Sequence, residues 1–278
     1  ALLEGLLGEH PETLAPEPGV AERWEVSKDG RVYTFHFRAN AKWTNGDAVK
    51  ASDFAYSYQR MLTPALGAKY AYMLHVLKNA KAFNAGTLED FSEVGVKAVD
   101  DRTLVLILEE PTPYFLQLIN HYSWYPVHPP TIKKFGGMTQ RDSKWTQPEN
   151  FVGNGSFRLK EWKLNEHVLV EKSSTYWDAA QVKLEKIYFL PITSAETEEK
   201  MFRDNQLHAT QTIPLTRIEH YQKKESDVLR VDPYLGTYFY RVNVNHKALK
   251  DKRVRHALAM SINRHEITRF VLKAGQIP

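Results

Sequence analysis

Several residue groups in this chain carry types that do chemistry elsewhere. His121 and His128 stand seven positions apart in a proline-rich, aromatic stretch. Imidazole nitrogens ligate transition metals, but such a site needs a third ligand, and the sequence names none for this pair. Structural or ligand-facing histidines are the favoured reading, and no metal site is assigned. His265-Glu266 lacks the second histidine of a zincin helix. Asp100-Asp101 and Glu109-Glu110 pair carboxylates, the raw material of general acid–base catalysis. Neighbouring strand residues face opposite ways, so these pairs read as a turn and solvated strand ends. Gly153-Asn154-Gly155-Ser156 lacks the spacing of a nucleophile elbow. Phosphate loops and the Gly-x-Gly-x-x-Gly fingerprint are absent. Asn154-Gly155-Ser156 matches a glycosylation acceptor, a pattern that arises readily by chance.

Composition narrows the classes further. The chain has 278 residues, 42% hydrophobic and 25% charged, as in an ordinary globular protein of one large domain or two. It contains no cysteine, which excludes thiol catalysis, disulfides and cysteine-ligated zinc without assigning a compartment. A net charge of +4 is mild for this length, and basic and acidic residues interleave, as in Lys183-Leu184-Glu185-Lys186. Nucleic acid is therefore not an expected partner. Apolar runs are too short for a transmembrane helix, and no signal peptide is visible. The abrupt start at Ala1 and the end at Pro278 suggest a piece of something longer. Aromatic residues reach 12%, which suits either a large ring-filled core or a cleft lined with rings.

The elements that would position these residues follow from periodicity. Tyr33, Phe35 and Phe37 alternate with Thr34 and His36, predicting a strand over 31–38 after an Asp29-Gly30 turn. Phe54, Ala55, Tyr58 and Leu62 share one side of a helix over 51–62, with Ser52 as its cap. Asp100-Asp101 turns into a strand over 103–108. Thr112-Pro113 opens a helix carrying Tyr114, Phe115, Leu118 and Ile119. Prolines and glycines across 126–150 predict a crossover between lobes. Strands are expected at 156–163, 166–172 and 185–191. Thr193-Ser194-Ala195-Glu196 reads as a capping box for a helix to about Leu207, and another helix begins near Pro214. Residues 236–244 alternate like a strand. Helices follow over 254–262 and from Asn263 to about Lys273, with Gly275 just beyond. The order is mixed α/β (α+β) and not a strict β-α-β rhythm.

Motifs along the whole chain resemble one family. Pro18-Gly19-Val20-Ala21-Glu22-Arg23-Trp24, Tyr33-Thr34-Phe35-His36-Phe37-Arg38 and Ala41-Lys42-Trp43-Thr44-Asn45-Gly46-Asp47 come first. Gly95-Val96-Lys97-Ala98-Val99-Asp100-Asp101 and Glu110-Pro111-Thr112-Pro113-Tyr114-Phe115 follow in order. Lys144-Trp145-Thr146-Gln147-Pro148, Tyr176-Trp177-Asp178, Val231-Asp232-Pro233-Tyr234 and Asp251-Lys252-Arg253-Val254-Arg255 complete the series. Together they resemble the solute-binding proteins of bacterial ABC importers, the oligopeptide/dipeptide/nickel group, and most of all its oligopeptide branch.

That resemblance implies a two-lobed, periplasmic binding protein type II-like fold of the three-domain peptide-binding variety, truncated at both ends. Domain I would comprise residues 1–8 and 129–235, domain II residues 9–128, and residues 236–278 would begin domain III. Relatives are considerably longer, and the acidic anchor and several basic ones that hold peptide termini would lie beyond residue 278. The implied function is a periplasmic or lipid-anchored receptor that binds oligopeptides in an interlobe cleft and delivers them to a membrane ABC permease. No catalysis and no cofactor are implied. The same fold with a murein peptide, a nickel chelate or a sugar is the alternative ligand reading. A peptide or glycan hydrolase is the reading from another class, and it lacks the arranged nucleophile or carboxylates. Ligand-contact positions carried over by the resemblance are Tyr70 and His121 from domain II, Thr210 and Gln211 from domain I, and Tyr234, Gly236 and Phe239 at the hinge-side strand. His121 would meet a ligand carboxylate. Relatives often carry Tyr where Phe239 stands.

Overall fold

Two short strands, β1 (Leu7–Glu9) and β2 (Pro16–Pro18), pair antiparallel and lead into the hairpin of β3 (Ala21–Val26) and β4 (Val32–Phe37). The computed structural model describes residues 1–232 and 236–278, which divide into two units, residues 1–191 and 192–278. Gly30, at φ +68°, closes the β3–β4 turn in a conformation that glycine adopts without strain. Tyr33, Phe35 and Phe37 are buried as the alternation predicts, while Thr34 and His36 face outward, half-exposed.

Helix α1 (Ala51–Leu62) crosses this layer with Phe54, Tyr58 and Leu62 wholly buried. Its cap differs from expectation. Lys50 is the N-cap residue, and Ser52 lies inside the first turn. Asp53 supplies the contact, accepting from the Lys50 backbone N–H at 2.9 Å and from the Trp43 indole at 3.0 Å. A carboxylate at the third helical position reaches back to the cap N–H, which a serine one place earlier does not.

After α2 (Ala80–Asn84), strands β5 (Val96–Asp100) and β6 (Thr103–Ile107) complete an antiparallel sheet of order β3-β4-β6-β5, with α1 packed against β5 and β6. The helix expected from Thr112 shrinks to α3 (Phe115–Leu118), with Thr112 and Pro113 outside it. Phe115 and Ile119 enter the core, while Tyr114 stays exposed. Within the crossover, Pro129 and Pro130 start a helix the sequence did not suggest, α4 (Pro129–Lys134). Prolines are tolerated in a first turn because those N–H groups have no intrahelical partner.

Strands β7 (Phe157–Lys163), β8 (His167–Lys172) and β9 (Lys186–Phe189) form a separate antiparallel sheet close to the expected ranges. The N-terminal segment is bound beside it. Leu2 and Ala1 carbonyls accept from Gly155 and Phe157, and Asn154 grips the backbone of Glu4. Cβ atoms at Gly153 or Gly155 would collide with the Leu2 and Ala1 carbonyl oxygens, so the close approach depends on glycine. Asn154 is 3% exposed with its amide engaged, which removes it as a glycosylation acceptor.

In the second unit, α5 (Ala195–Arg203) starts at Ser194, whose Oγ accepts from the Thr197 N–H at 3.2 Å. The cap thus lies one residue beyond Thr193. The helix stops before Leu207 because the chain turns left-handed at Asn205, φ +57°. Helix α6 (Ile218–Lys224) brings Ile218 and Tyr221 into a small core. Glu199 is buried there and accepts from Arg203 at 2.9 Å, Arg217 at 3.1 Å and the Tyr221 hydroxyl at 3.1 Å. Burial alone would raise its carboxyl, but these donors hold it below the ordinary glutamate value.

Residues 236–244 are not a strand. Alternation says only that one face favours burial. A ladder also needs a neighbour for its N–H and C=O groups, and none pairs with this segment among the described residues. Helix α7 (Lys252–Met260) follows, capped by Asp251, then α8 (Arg264–Glu266), capped by Asn263. The chain continues as a π-helical turn over Ile267–Leu272 and reaches Gly275 at φ +84°.

Candidate functional site

Two one-turn 3-10 helices, Ala71–Leu74 and Tyr122–Trp124, bring a cluster of rings to the surface of the first unit. Leu74 and Trp124 are wholly buried and anchor the turns to the core. The residues around them point the other way. Tyr70, immediately before the first turn, and His121, the N-cap of the second, meet with ring centroids 5.1 Å apart. Tyr122 lies 4.1 Å from His121 and 5.6 Å from Tyr70, and Tyr72 lies 6.0 Å from Tyr70. Tyr70 is 40%, Tyr72 57% and Tyr122 61% exposed, so this is a surface of rings and not core packing.

His121 is held from beneath. The Ser123 N–H donates to its Nδ1 at 3.2 Å, and the Ser123 Oγ lies 2.9 Å from the same nitrogen. Burial lowers the imidazole below its ordinary value. Hydrogen bonding to Tyr70, then burial, raises the Tyr122 hydroxyl. The surface is therefore aromatic and polar at its edges. Such a surface can stack on peptide planes or side chains and exchange hydrogen bonds with them.

The structure thus joins two predicted positions, Tyr70 and His121, from distant segments. Tyr72, Tyr122 and Ser123 were not singled out. Their only sequence signal is adjacency to Tyr70 and His121. In the second unit, the Gln211 N–H donates to Glu198 Oε1 at 2.9 Å, so the 210–211 segment is tied to α5 by its backbone. Thr210 is half-buried and the Gln211 side chain is exposed. Gly236 and Phe239 lie on the exposed 236–244 segment, with Arg241 5.9 Å over the Phe239 ring. Tyr234 lies outside the described residues.

The groups considered for chemistry disperse. His128 is buried, bonded to Thr131 at 2.8 Å and to Asp47 at 3.0 Å, and shares no partner with His121. Asp101 pairs with Lys50 at 2.9 Å, and Glu110 with Arg31 at 2.7 Å. Among the described residues no group of three or more His, Cys, Asp or Glu side chains is gathered for a metal. No described helix is long and apolar enough to cross a membrane.

Comparison with known proteins gives one consistent result. Residues 15–278 match the bacterial extracellular solute-binding proteins, family 5 Middle. The periplasmic oligopeptide-binding protein OppA of Salmonella typhimurium is 40% identical over 280 aligned residues, covering 100% of this chain and 50% of that protein. OppA of Burkholderia pseudomallei superposes with a TM-score of 0.91 at 37% identity, over 100% of this chain and 53% of that one. A Haemophilus influenzae OppA structure in complex with the peptide RPPGFSPFR superposes with a TM-score of 0.88 at 32% identity, over 100% and 53%. The chain spans about half the length of the curated relatives it matches. Its mixed α/β architecture is that of the solute-binding fold. The chain belongs to the bacterial extracellular solute-binding proteins, family 5, a family of solute receptors rather than of enzymes.

Proposed function

We propose that this chain is part of a receptor that binds oligopeptides and delivers them to an ABC permease, in the periplasm or tethered outside the cell, without chemical turnover. The observation that carries this reading is the 40% identity to an oligopeptide-binding protein across the whole chain. The exposed surface of Tyr70, Tyr72, His121 and Tyr122 supports it, because rings with polar edges accept extended peptides of varied sequence. In this reading Tyr70, His121, Thr210, Gln211, Tyr234, Gly236 and Phe239 contribute ligand contacts. The three-domain division at 1–8 with 129–235, 9–128, and from 236 onward goes with it. Backbone bonds from residues 1 and 2 to Gly155 and Phe157 support a first domain assembled from separate segments.

Native mass spectrometry of the purified protein, followed by gentle release of ligand, tests the proposal. A ladder of bound masses matching mixed short peptides is the expected result. A protein that stays empty after incubation with a short-peptide library, or one that returns the peptides cleaved, overturns it.

A further inference from the structure

The hydrogen-bond geometry around His121 carries a consequence for what this surface recognises. A backbone N–H can donate only to a ring nitrogen whose lone pair is free. The Ser123 N–H donates to His121 Nδ1 at 3.2 Å, so Nδ1 carries no hydrogen. In a neutral imidazole the hydrogen then sits on Nε2. That nitrogen makes no hydrogen bond among the described residues, while the ring stands among the exposed Tyr70 and Tyr122.

We propose that Ser123 holds His121 as the neutral Nε2–H tautomer, and that the ring offers an uncharged donor to an oxygen acceptor of the bound ligand, a peptide carbonyl or carboxylate. Ammonium groups are refused there, because the ring presents a hydrogen and not a lone pair. The ligand half of this inference rests on the peptide-receptor reading. The tautomer does not.

Protonation would place a hydrogen on Nδ1 facing the Ser123 N–H and break that bond. Burial acts in the same direction. The titratable side chains beside the ring are Tyr70 and Tyr122, hydrogen bonding to Tyr70 raises the Tyr122 hydroxyl, and no carboxylate pairs with His121 among the described residues. The ligand carboxylate that the resemblance sets against His121 thus becomes one of two oxygen acceptors, carboxylate or carbonyl, that a neutral donor serves.

Histidine-selective 15N labelling of the protein, with His121→Gln used to assign the resonance, reads the tautomer directly. From about pH 8 down to about pH 6.5, the ordinary imidazole value, His121 is expected to show a hydrogen-bearing Nε2 and a bare Nδ1. A hydrogen on Nδ1 at neutral pH overturns the inference, whatever the ligand. Titration with trialanine is expected to shift the Nε2 resonance. If the Nε2–H tautomer is present but trialanine leaves it unmoved, the ligand half fails together with the peptide reading. Calorimetry with trialanine separates donor from charge. His121→Phe is expected to weaken binding about tenfold, as for loss of one hydrogen bond, while His121→Gln, which keeps an N–H, retains most affinity. Equal losses in both variants, or binding that strengthens on acidification, overturn a neutral donor.

Discussion

Asn154 clasps the backbone of Glu4 from both sides, donating through Nδ2 to its carbonyl at 3.0 Å and accepting its N–H through Oδ1 at 2.9 Å. The amide is 3% exposed, so neither bond is replaced by water when it is lost. This places an N-terminal residue against the segment that enters β7, and it sets the position of the Glu4 side chain. Asn154→Ala is expected to cost about 2–4 kcal/mol by leaving the N–H and C=O of the half-buried Glu4 unpaired. Chemical denaturation checks it, and a cost below about 1 kcal/mol would show that the segment frays without consequence.

The Glu4 carboxyl itself predicts a pH dependence. It accepts from the Tyr176 hydroxyl at 2.6 Å and the Trp177 indole at 2.8 Å, yet burial outweighs these donors and the nearby Arg38 and raises it above 4.5. A carboxyl raised on folding binds its proton more tightly in the folded state. Its contribution is therefore present below pH 4.5 and lost as pH rises through the folded value. Glu4→Gln should flatten that descending part of the stability profile. Melting curves taken from pH 4 to 7 in both proteins test the sign, and a variant with a steeper decline would contradict it.

Tyr58 predicts an uncommon direction. Its ring is wholly buried, 5.3 Å from the buried Trp124, and its hydroxyl has no hydrogen-bond partner among the described residues. Burial raises that hydroxyl well above its ordinary value. Removing an unpaired buried polar atom while keeping the ring relieves a desolvation cost. Tyr58→Phe is expected to be neutral or to stabilise by up to about 1 kcal/mol. Destabilisation of more than about 1 kcal/mol would mean that the hydroxyl has a partner in solution.

Tyr70 separates binding from folding. Its ring is 40% exposed and touches His121, Tyr72 and Tyr122 only at the surface. Tyr70→Ala should leave stability within about 0.5 kcal/mol and reduce peptide retention. A large drop in melting temperature with unchanged retention would reassign Tyr70 to the fold.

The outcomes at 31–38 and 236–244 show where local pattern suffices. Both stretches alternate, but Phe35 lies between β3 and β6, whereas Tyr238 is 88% exposed with no pairing strand among the described residues. Strands β1, β2, β3 and β5 carried too little alternation to be read alone and depend on their partners for definition. Helix α1 was legible from its rings, but its N-cap is Lys50, and Asp53 rather than Ser52 reaches the cap N–H, because capping depends on side-chain reach as well as residue type.

By itself the sequence determined the class of most elements, the burial of the rings at Tyr33, Phe35 and Phe37 and, through the order of its motifs, the family. Those signals are local, or repeat along the chain, and survive without knowledge of contacts. Only the tertiary structure decided that Tyr70 meets His121, that the Ser123 N–H meets His121 Nδ1, and that Asn154 holds Glu4. These relations join segments far apart in sequence, or depend on the direction of one N–H, and no periodicity encodes either.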